Sequence, residues 1–434
     1  MISVLRTGLA RPRRTPRDWM MFIAIMGLSG IGDAQERFRS AFNDPPVGWA
    51  GPVFELSQAY PTTRPNLEPR SQRRWTQFDF KKPSEAPLYL KAVLDYCLEG
   101  NTADNFADVS RNSVRKWYHA PWLHAPSSDG RMDGREFIHG LTKERPSQPP
   151  ELGPSHTQEH DSWAVGFYNA LGGYTIGQVW KDAAHPDPRK ASFPWHTVGC
   201  KLLFTTAPLP EAPFLDGSLE WEADIHRSQG TESRPKLRLV QFDVAVKDPR
   251  ASSTTGWVFG TFQYEKAAST SPSWWAHLVP VGLMWGSDVA QLKAKQPARE
   301  QWINTARGQK LHLGRGDLVL NGPIDNPRGS CTSCHGFAQI ARVNNPLPRL
   351  PLRPPAGNAS AATLDRYFTN VKAATALSPD YVSVDYSLQM QAGIVRAVAA
   401  GQARLPPDLN STGRGTTRRR PVATRLDEVT RHQQ

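Results

Sequence analysis

Gly329-Ser330-Cys331-Thr332-Ser333-Cys334-His335-Gly336 carries the densest chemistry in this chain of 434 residues. If this stretch is a helical turn, Cys331 and Cys334 lie three apart and share one face. His335 follows directly and sets an imidazole beside the two thiols. The chain has only four Cys, at 97, 200, 331 and 334. A structural zinc site uses four ligands, usually in two paired halves, and there is no second Cys-x-x-Cys. A thioredoxin-like redox pair needs a βαβ context. The flanks here are turn chemistry instead, Asn321-Gly322-Pro323-Ile324-Asp325-Asn326-Pro327 and Asn344-Asn345-Pro346-Leu347-Pro348. A disulfide between Cys331 and Cys334 would leave His335 unexplained.

Cys-x-x-Cys-His is also the spacing that attaches haem c. Two thiols on one face can add to the two vinyl groups of one haem, and the adjacent imidazole can ligate its iron. On these residues the segment from roughly 315 to 400 resembles a c-type cytochrome domain, with Cys331 to His335 as the specific core. The resemblance covers under a quarter of the chain and says nothing of residues 100–310. It implies a small α-helical haem domain, one-electron transfer with a redox partner protein, and a Met or His on the second haem face. Downstream of His335 the only Met is Met390 and the only His is His432. Met390 has the spacing of a ligand in similar domains, but it falls inside a predicted helix where such ligands usually occupy a loop. An axial Met390, a core Met390, a ligand from the large domain and an open iron site all remain open. The resemblance also implies that the other ring nitrogen of His335 donates to a proline carbonyl, with Pro346 and Pro348 in the matching places.

The ends of the chain read differently. Arg6, Arg11, Arg13, Arg14 and Arg17 precede an uncharged, mostly apolar run from Trp19 to Gly32, and Gly32-Asp33-Ala34 offers small residues for cleavage. Residues 1–34 are therefore expected to be a signal peptide. An uncleaved anchor is the alternative, and Arg13-Arg14 raises a twin-arginine route. Export agrees with haem c, because similar cytochromes take up haem after export, and it places the chain in a periplasm. Residues 404–434 are basic, with Arg418-Arg419-Arg420, and read as a disordered tail. An acidic partner or a membrane surface is the sharper role for that tail. The net charge of +12 sits largely in these termini, and no nucleic-acid-binding motif accompanies it, so nucleic acid is not expected as a partner.

Between the ends, Leu90, Val93, Leu94, Cys97 and Leu98 fall on one face of a predicted helix over 87–99, stopped by Gly100. Trp117-Tyr118-His119-Ala120-Pro121-Trp122-Leu123-His124 is an unusual aromatic and histidine stretch. It reads either as a buried loop or as the lining of a haem face, metal site or pocket. His156 and His160 would make a metal pair on a helix, but Gly153 and Pro154 favour a loop. Val240, Phe242, Val244 and Val246 alternate with polar residues and predict a half-buried strand. Leu202 to Thr206, Leu219 to Ile225, Trp257 to Tyr264 and Val279 to Trp285 are further predicted strands, which together indicate an antiparallel sheet, sandwich or partial barrel. Further on, the pattern predicts helices over Leu364 to Val371 and Val384 to Val398, the latter capped by Ser383. Cys97 and Cys200 are either a disulfide, which export permits, or two separate buried thiols.

The expected fold is α+β. A large β-containing domain over 35–314 is followed by a small α-helical, cytochrome c-like haem domain over 315–403. The expected function is one-electron transfer through one covalent haem c, with Cys331 and Cys334 as anchors and His335 and Met390 as iron ligands. The competing class is a haem-containing oxidoreductase whose large domain binds an unidentified small-molecule substrate or supplies a haem-face residue. A haem-bearing sensor is a third.

Overall fold

The alternation over Val240–Val246 belongs to a longer strand. The computed structural model describes residues 57–101, 112–123, 135–136, 140–226, 232–294, 296–307, 319–342 and 359–409. Within them the strands are β1 (Arg135–Glu136), β2 (Thr142–Lys143), β3 (Ser162–Tyr168), β4 (Val198–Thr205), β5 (Glu220–Glu222), β6 (Ile225–His226), β7 (Glu232–Ser233), β8 (Lys236–Lys247), β9 (Trp257–Tyr264), β10 (Leu278–Met284), β11 (Gln301–Ile303), β12 (Val319–Leu320), β13 (Gln339–Ala341) and β14 (Tyr381–Ser383). The α-helices are α1 (Ala86–Leu98), α2 (Ala170–Val179), α3 (Val289–Ala294), α4 (Cys331–Gly336), α5 (Ala361–Tyr367) and α6 (Leu388–Ala399). The expected signal peptide lies outside the described residues, as do His124, Pro346, Pro348 and His432. Among the described residues no helix is long and apolar enough to cross a membrane.

One antiparallel sheet of eleven strands dominates, in the order β11-β10-β9-β8-β4-β3-β2-β1-β6-β7, with β5 also paired to β8. Its centre buries both faces. On one side Val165, Leu202, Phe242, Val246 and Val258 pack with Leu90, Val93 and Leu94 of α1. On the other, Trp257 and Phe259 of β9 pack with Phe337, Val384, Met390 and Ile394. Alternation along a strand sends neighbouring residues to opposite faces, so two cores form from one sheet. The Cys97–Cys200 disulfide joins α1 to β4.

The expectation of a separate small helical haem domain is corrected. The described part of 319–409 does not form a helical unit of its own. It shares its core with β9, β10 and α2 and contributes the two-stranded sheet β13–β14. The expected start of the last helix at Val384, under a Ser383 cap, is also corrected. Asp385 and Tyr386 take positive φ, 52° and 68°, which no helix continues through. The helix starts at Leu388, where Ser387 Oγ accepts the Met390 N–H at 3.1 Å. Ser383 instead accepts the Asp385 N–H, at 3.0 Å. Residues 404–409 of the expected tail are packed: Leu405 and Leu409 are buried, and Arg404 N–H donates to the Ala184 carbonyl at 2.8 Å.

Candidate functional site

The second face of the sheet is not completely filled. Ala164, Gly166 and Tyr168 of β3, Gly199 and Lys201 of β4, Asp243 and Ala245 of β8, and Trp257 and Phe259 of β9 alternate onto one side and floor a cavity of about 240 Å³. Cys331, Cys334 and His335 line the same cavity from above, with Gln389, Ala392 and Arg396 of α6. A Cβ on Gly166 at the floor would meet Gln389 Nε2 at 1.8 Å, so a larger residue there would displace that side chain.

The turn that carries Cys331, Cys334 and His335 is helical. Ser330 caps α4 by accepting the Ser333 N–H at 3.1 Å. Ser287 Oγ lies 3.0 Å from Thr332 Oγ1 and 3.3 Å from Ser333 Oγ, tying the turn to the chain after β10. Both thiols are reduced and unpaired with each other. Cys334 Sγ lies 3.0 Å from Tyr367 Oη. Burial pushes both thiols above their ordinary pKa, the opposite of what an activated redox cysteine requires.

His335 Nδ1 is 2.9 Å from the Tyr386 carbonyl. A carbonyl only accepts, so Nδ1 carries the proton and Nε2 keeps the lone pair of the neutral ring. Burial lowers the pKa of the imidazole to about 4, against a smaller raising effect of that hydrogen bond. The ring rests on Phe259, centroids 4.6 Å apart. The acceptor is thus a carbonyl 51 residues along the chain, where resemblance had implied Pro346 or Pro348.

Met390 is not brought to the cavity. It is 0 % exposed and belongs to the packed core, while its helix neighbours Gln389, Gln391 and Ala392 line the cavity. Helix periodicity turns Met390 away from the face it was expected to present. The aromatic stretch is part packing and part cavity wall, since His119 and Leu123 line the cavity. Trp117 packs edge-on to Phe167 at 5.0 Å, and Tyr118 bridges Tyr168. His119 Nδ1 donates to the Gly166 carbonyl at 2.7 Å and closes the open edge of β3. His156 and His160 lie in a loop with rings stacked at 5.5 Å. With Glu211 they place three ligand-type atoms within 4.8 Å of one another. His156 Nδ1 already accepts the Leu152 N–H at 3.1 Å, and His160 Nε2 pairs with Glu211 at 3.2 Å.

Sequence reasoning missed the charged wall. Glu144 and Arg145 follow β2, Lys201 and Asp243 stand on the floor, Asp325 lies in the turn before the motif, and Arg396 comes from α6, all lining the cavity. Burial raises Glu144 to about 7, with Lys201 and Arg396 acting against it. Arg396 is lowered to about 10 by burial, with Glu144 opposing. Lys201 interrupts an otherwise apolar strand, and Asp243 is one of the polar residues that alternate with Val240, Phe242, Val244 and Val246.

The donors present fit a covalently held haem. Two thiols face one cavity from one helical turn, and a neutral imidazole of fixed tautomer follows them. Arg396, half-buried and donating to the Leu123 carbonyl, would offer a cation to an anionic group such as a propionate. In comparisons with known proteins, no family model, no curated protein and no solved structure matches the chain.

Proposed function

We propose that the chain is a single-haem, c-type redox protein. Cys331 and Cys334 hold the haem by thioether bonds, and His335 Nε2 ligates its iron. The observation that carries this reading is the convergence of Cys331, Cys334 and His335 on one cavity, with His335 Nδ1 committed to the Tyr386 carbonyl. Such an acceptor fixes the tautomer and orientation of a ligating histidine. Bound haem supplies a one-electron couple, exchanged with a redox partner protein. Phe259 and the Tyr386 turn hold the imidazole, and the sheet floor and α6 keep bulk water from it. The Cys97–Cys200 disulfide supports maturation in an oxidising, exported compartment.

Between carrier and oxidoreductase, one observation favours the oxidoreductase. Among the described residues no methionine lines the cavity, whereas Glu144, Lys201, Asp243 and Asp325 do. A Met/His carrier seals its haem with a thioether. This cavity faces its haem ligand with groups that exchange protons, and it has room for a small substrate.

The test is expression of the full chain with a cytochrome c maturation system, followed by acid-acetone extraction and a pyridine haemochrome spectrum. Pigment that stays with the protein, with a thioether-type spectrum and one haem mass added, is the expected result. Extractable pigment, or no haem adduct, overturns the reading.

A further inference from the structure

The wall opposite the attachment turn is built as a unit. Gly166, Lys201, Asp243 and Thr261 are direct cross-strand partners on β3, β4, β8 and β9, and form one row across the cavity side of the sheet. The adjacent row is Tyr168, Gly199, Ala245 and Phe259, and His335 rests on Phe259. Two residues along a strand span about 7 Å, so Lys201 and Asp243 rise one row away from the place where the imidazole is held. Lys201 Nζ is 3.0 Å from Asp243 Oδ2 and 3.6 Å from Asp325 Oδ1. Gln241 Nε2 donates to both Asp243 oxygens at 2.7 Å and to Asp325 Oδ2 at 3.2 Å. Gln241 Oε1 in turn accepts the Ile324 N–H at 3.1 Å.

Burying carboxylates is costly unless they are paired and hydrogen-bonded. Two carboxylates sharing one ammonium and one amide form an expensive group to place inside a sheet protein. These side chains keep 27 %, 21 % and 30 % of their surface, for Lys201, Asp243 and Asp325, and they line the cavity.

Resting on the haem reading above, we propose that Lys201, Asp243 and Asp325 form a proton-accepting group for a small protic ligand of the haem iron. A neutral acid HX entering the cavity would pass its proton to the Asp243 carboxylate, leaving X⁻ to bind the ferric iron of the haem that Cys331, Cys334 and His335 would hold. The H–X bond breaks, an O–H bond forms on Asp243, and no electron moves. Lys201 and Gln241 hold Asp243 in place. The remaining charged groups facing the cluster are Glu144, Arg145 and Arg396. Environment separates the two aspartates, which suits one of them to take the proton. Burial raises Asp243 against the pull of Lys201. For Asp325, burial is outweighed by Lys201 and the Gln241 hydrogen bond, and the net shift is downward. The ligand class is a small weak acid that binds iron as its anion, hydrogen peroxide among them.

Cyanide is the probe. The haem-loaded full chain is mixed with cyanide in the ferric state, and the Soret shift is followed with time across the neutral pH range. Carbon monoxide binding to the ferrous form, which releases no proton, is the control. Asp243→Asn and Lys201→Met should each slow cyanide association at neutral pH by roughly 100-fold, the scale of general acid–base assistance, and leave carbon monoxide association unchanged. Asp325→Asn, which leaves the strand row intact, should slow cyanide in the same sense. Unchanged cyanide rates in all three variants overturn the proposal. So does equal slowing of cyanide and carbon monoxide, which would mark a packing role, or failure of the unmutated protein to bind either. Absence of covalent haem overturns the haem reading first, and the inference with it.

Discussion

Lys247 at the end of β8 and Asp385 in the turn before α6 form an ion pair in the interior, with side chains 5 % and 0 % exposed. Asp385 also accepts the Phe193 N–H at 2.7 Å, the Trp257 indole N–H at 3.0 Å and the Ala374 N–H at 3.0 Å. These contacts hold Asp385 and Tyr386 in left-handed backbone conformations, which non-glycine residues adopt only at a cost of about 1–3 kcal/mol each. The same turn presents the Tyr386 carbonyl to His335. One buried pair therefore connects a central strand of the sheet to the orientation of His335.

Asp385→Ala should destabilise the protein by about 3–5 kcal/mol, the cost of leaving a buried charge without its partner. Denaturant unfolding measures it. Lys247→Met should cost less, since the carboxylate keeps its N–H donors. In the double variant the two costs should fall short of their sum, and strict additivity would show that the pair does not couple.

The Cys97–Cys200 bond closes a loop with a sequence separation of 103. Replacing both cysteines by alanine should cost about 2–5 kcal/mol. Unfolding the unmutated protein with and without reductant checks it, and the reduced protein should match the variant.

The alternation in β8 was legible, and the observed strand extends it. Trp257–Tyr264 is observed at its predicted limits although buried throughout, because its aromatic and β-branched residues favour a strand. Ser162–Tyr168, buried almost as fully, was missed because Ser162, Ala164 and Gly166 weaken its strand propensity. Ala170–Val179 was missed because Gly172 and Gly173 weaken its propensity. Those glycines admit the Tyr168 and Tyr118 rings, which a Cβ would meet at 2.9 Å and 2.5 Å. At the site, Cys331, Cys334 and His335 were legible because their chemistry is local in sequence. The Lys201–Asp243–Asp325 wall was not, because strand pairing assembles it from distant positions.

Cys331→Ala with Cys334→Ala should abolish covalent pigment without unfolding the protein, since neither thiol is bonded to the other. Haem staining of denatured protein reads the first outcome and circular dichroism the second. Pigment that survives denaturation in this variant would place the attachment elsewhere.

His119 should make stability pH-dependent. Burial lowers its pKa from 6.5 to about 4, partly offset by the Gly166 carbonyl. Below pH 6.5 the unfolded chain takes up a proton that the native imidazole refuses, so stability falls with falling pH. The contribution is complete above that value and is lost as pH approaches 4, a change of about 3 kcal/mol. His119→Phe should lower stability at neutral pH, because the Gly166 carbonyl loses its donor. It should also flatten the decline between those two values. An unchanged slope in urea titrations would show that the ring is not buried neutral.

Met390 separates the two functional classes most cleanly. A Met ligand would give oxidised protein a weak near-infrared sulfur-to-iron band, and its removal would lower the potential. The structure turns Met390 into the core, fully buried and away from the cavity. The expected outcome is no such band in the unmutated protein. Met390→Ala should cost about 2–5 kcal/mol of stability, the usual penalty for emptying a core position, while the haem spectrum and carbon monoxide binding stay as they were. A band that disappears with the substitution would return Met390 to the iron and the protein to the carriers. Its absence, with cyanide and carbon monoxide both binding, leaves the iron facing Lys201, Asp243 and Asp325.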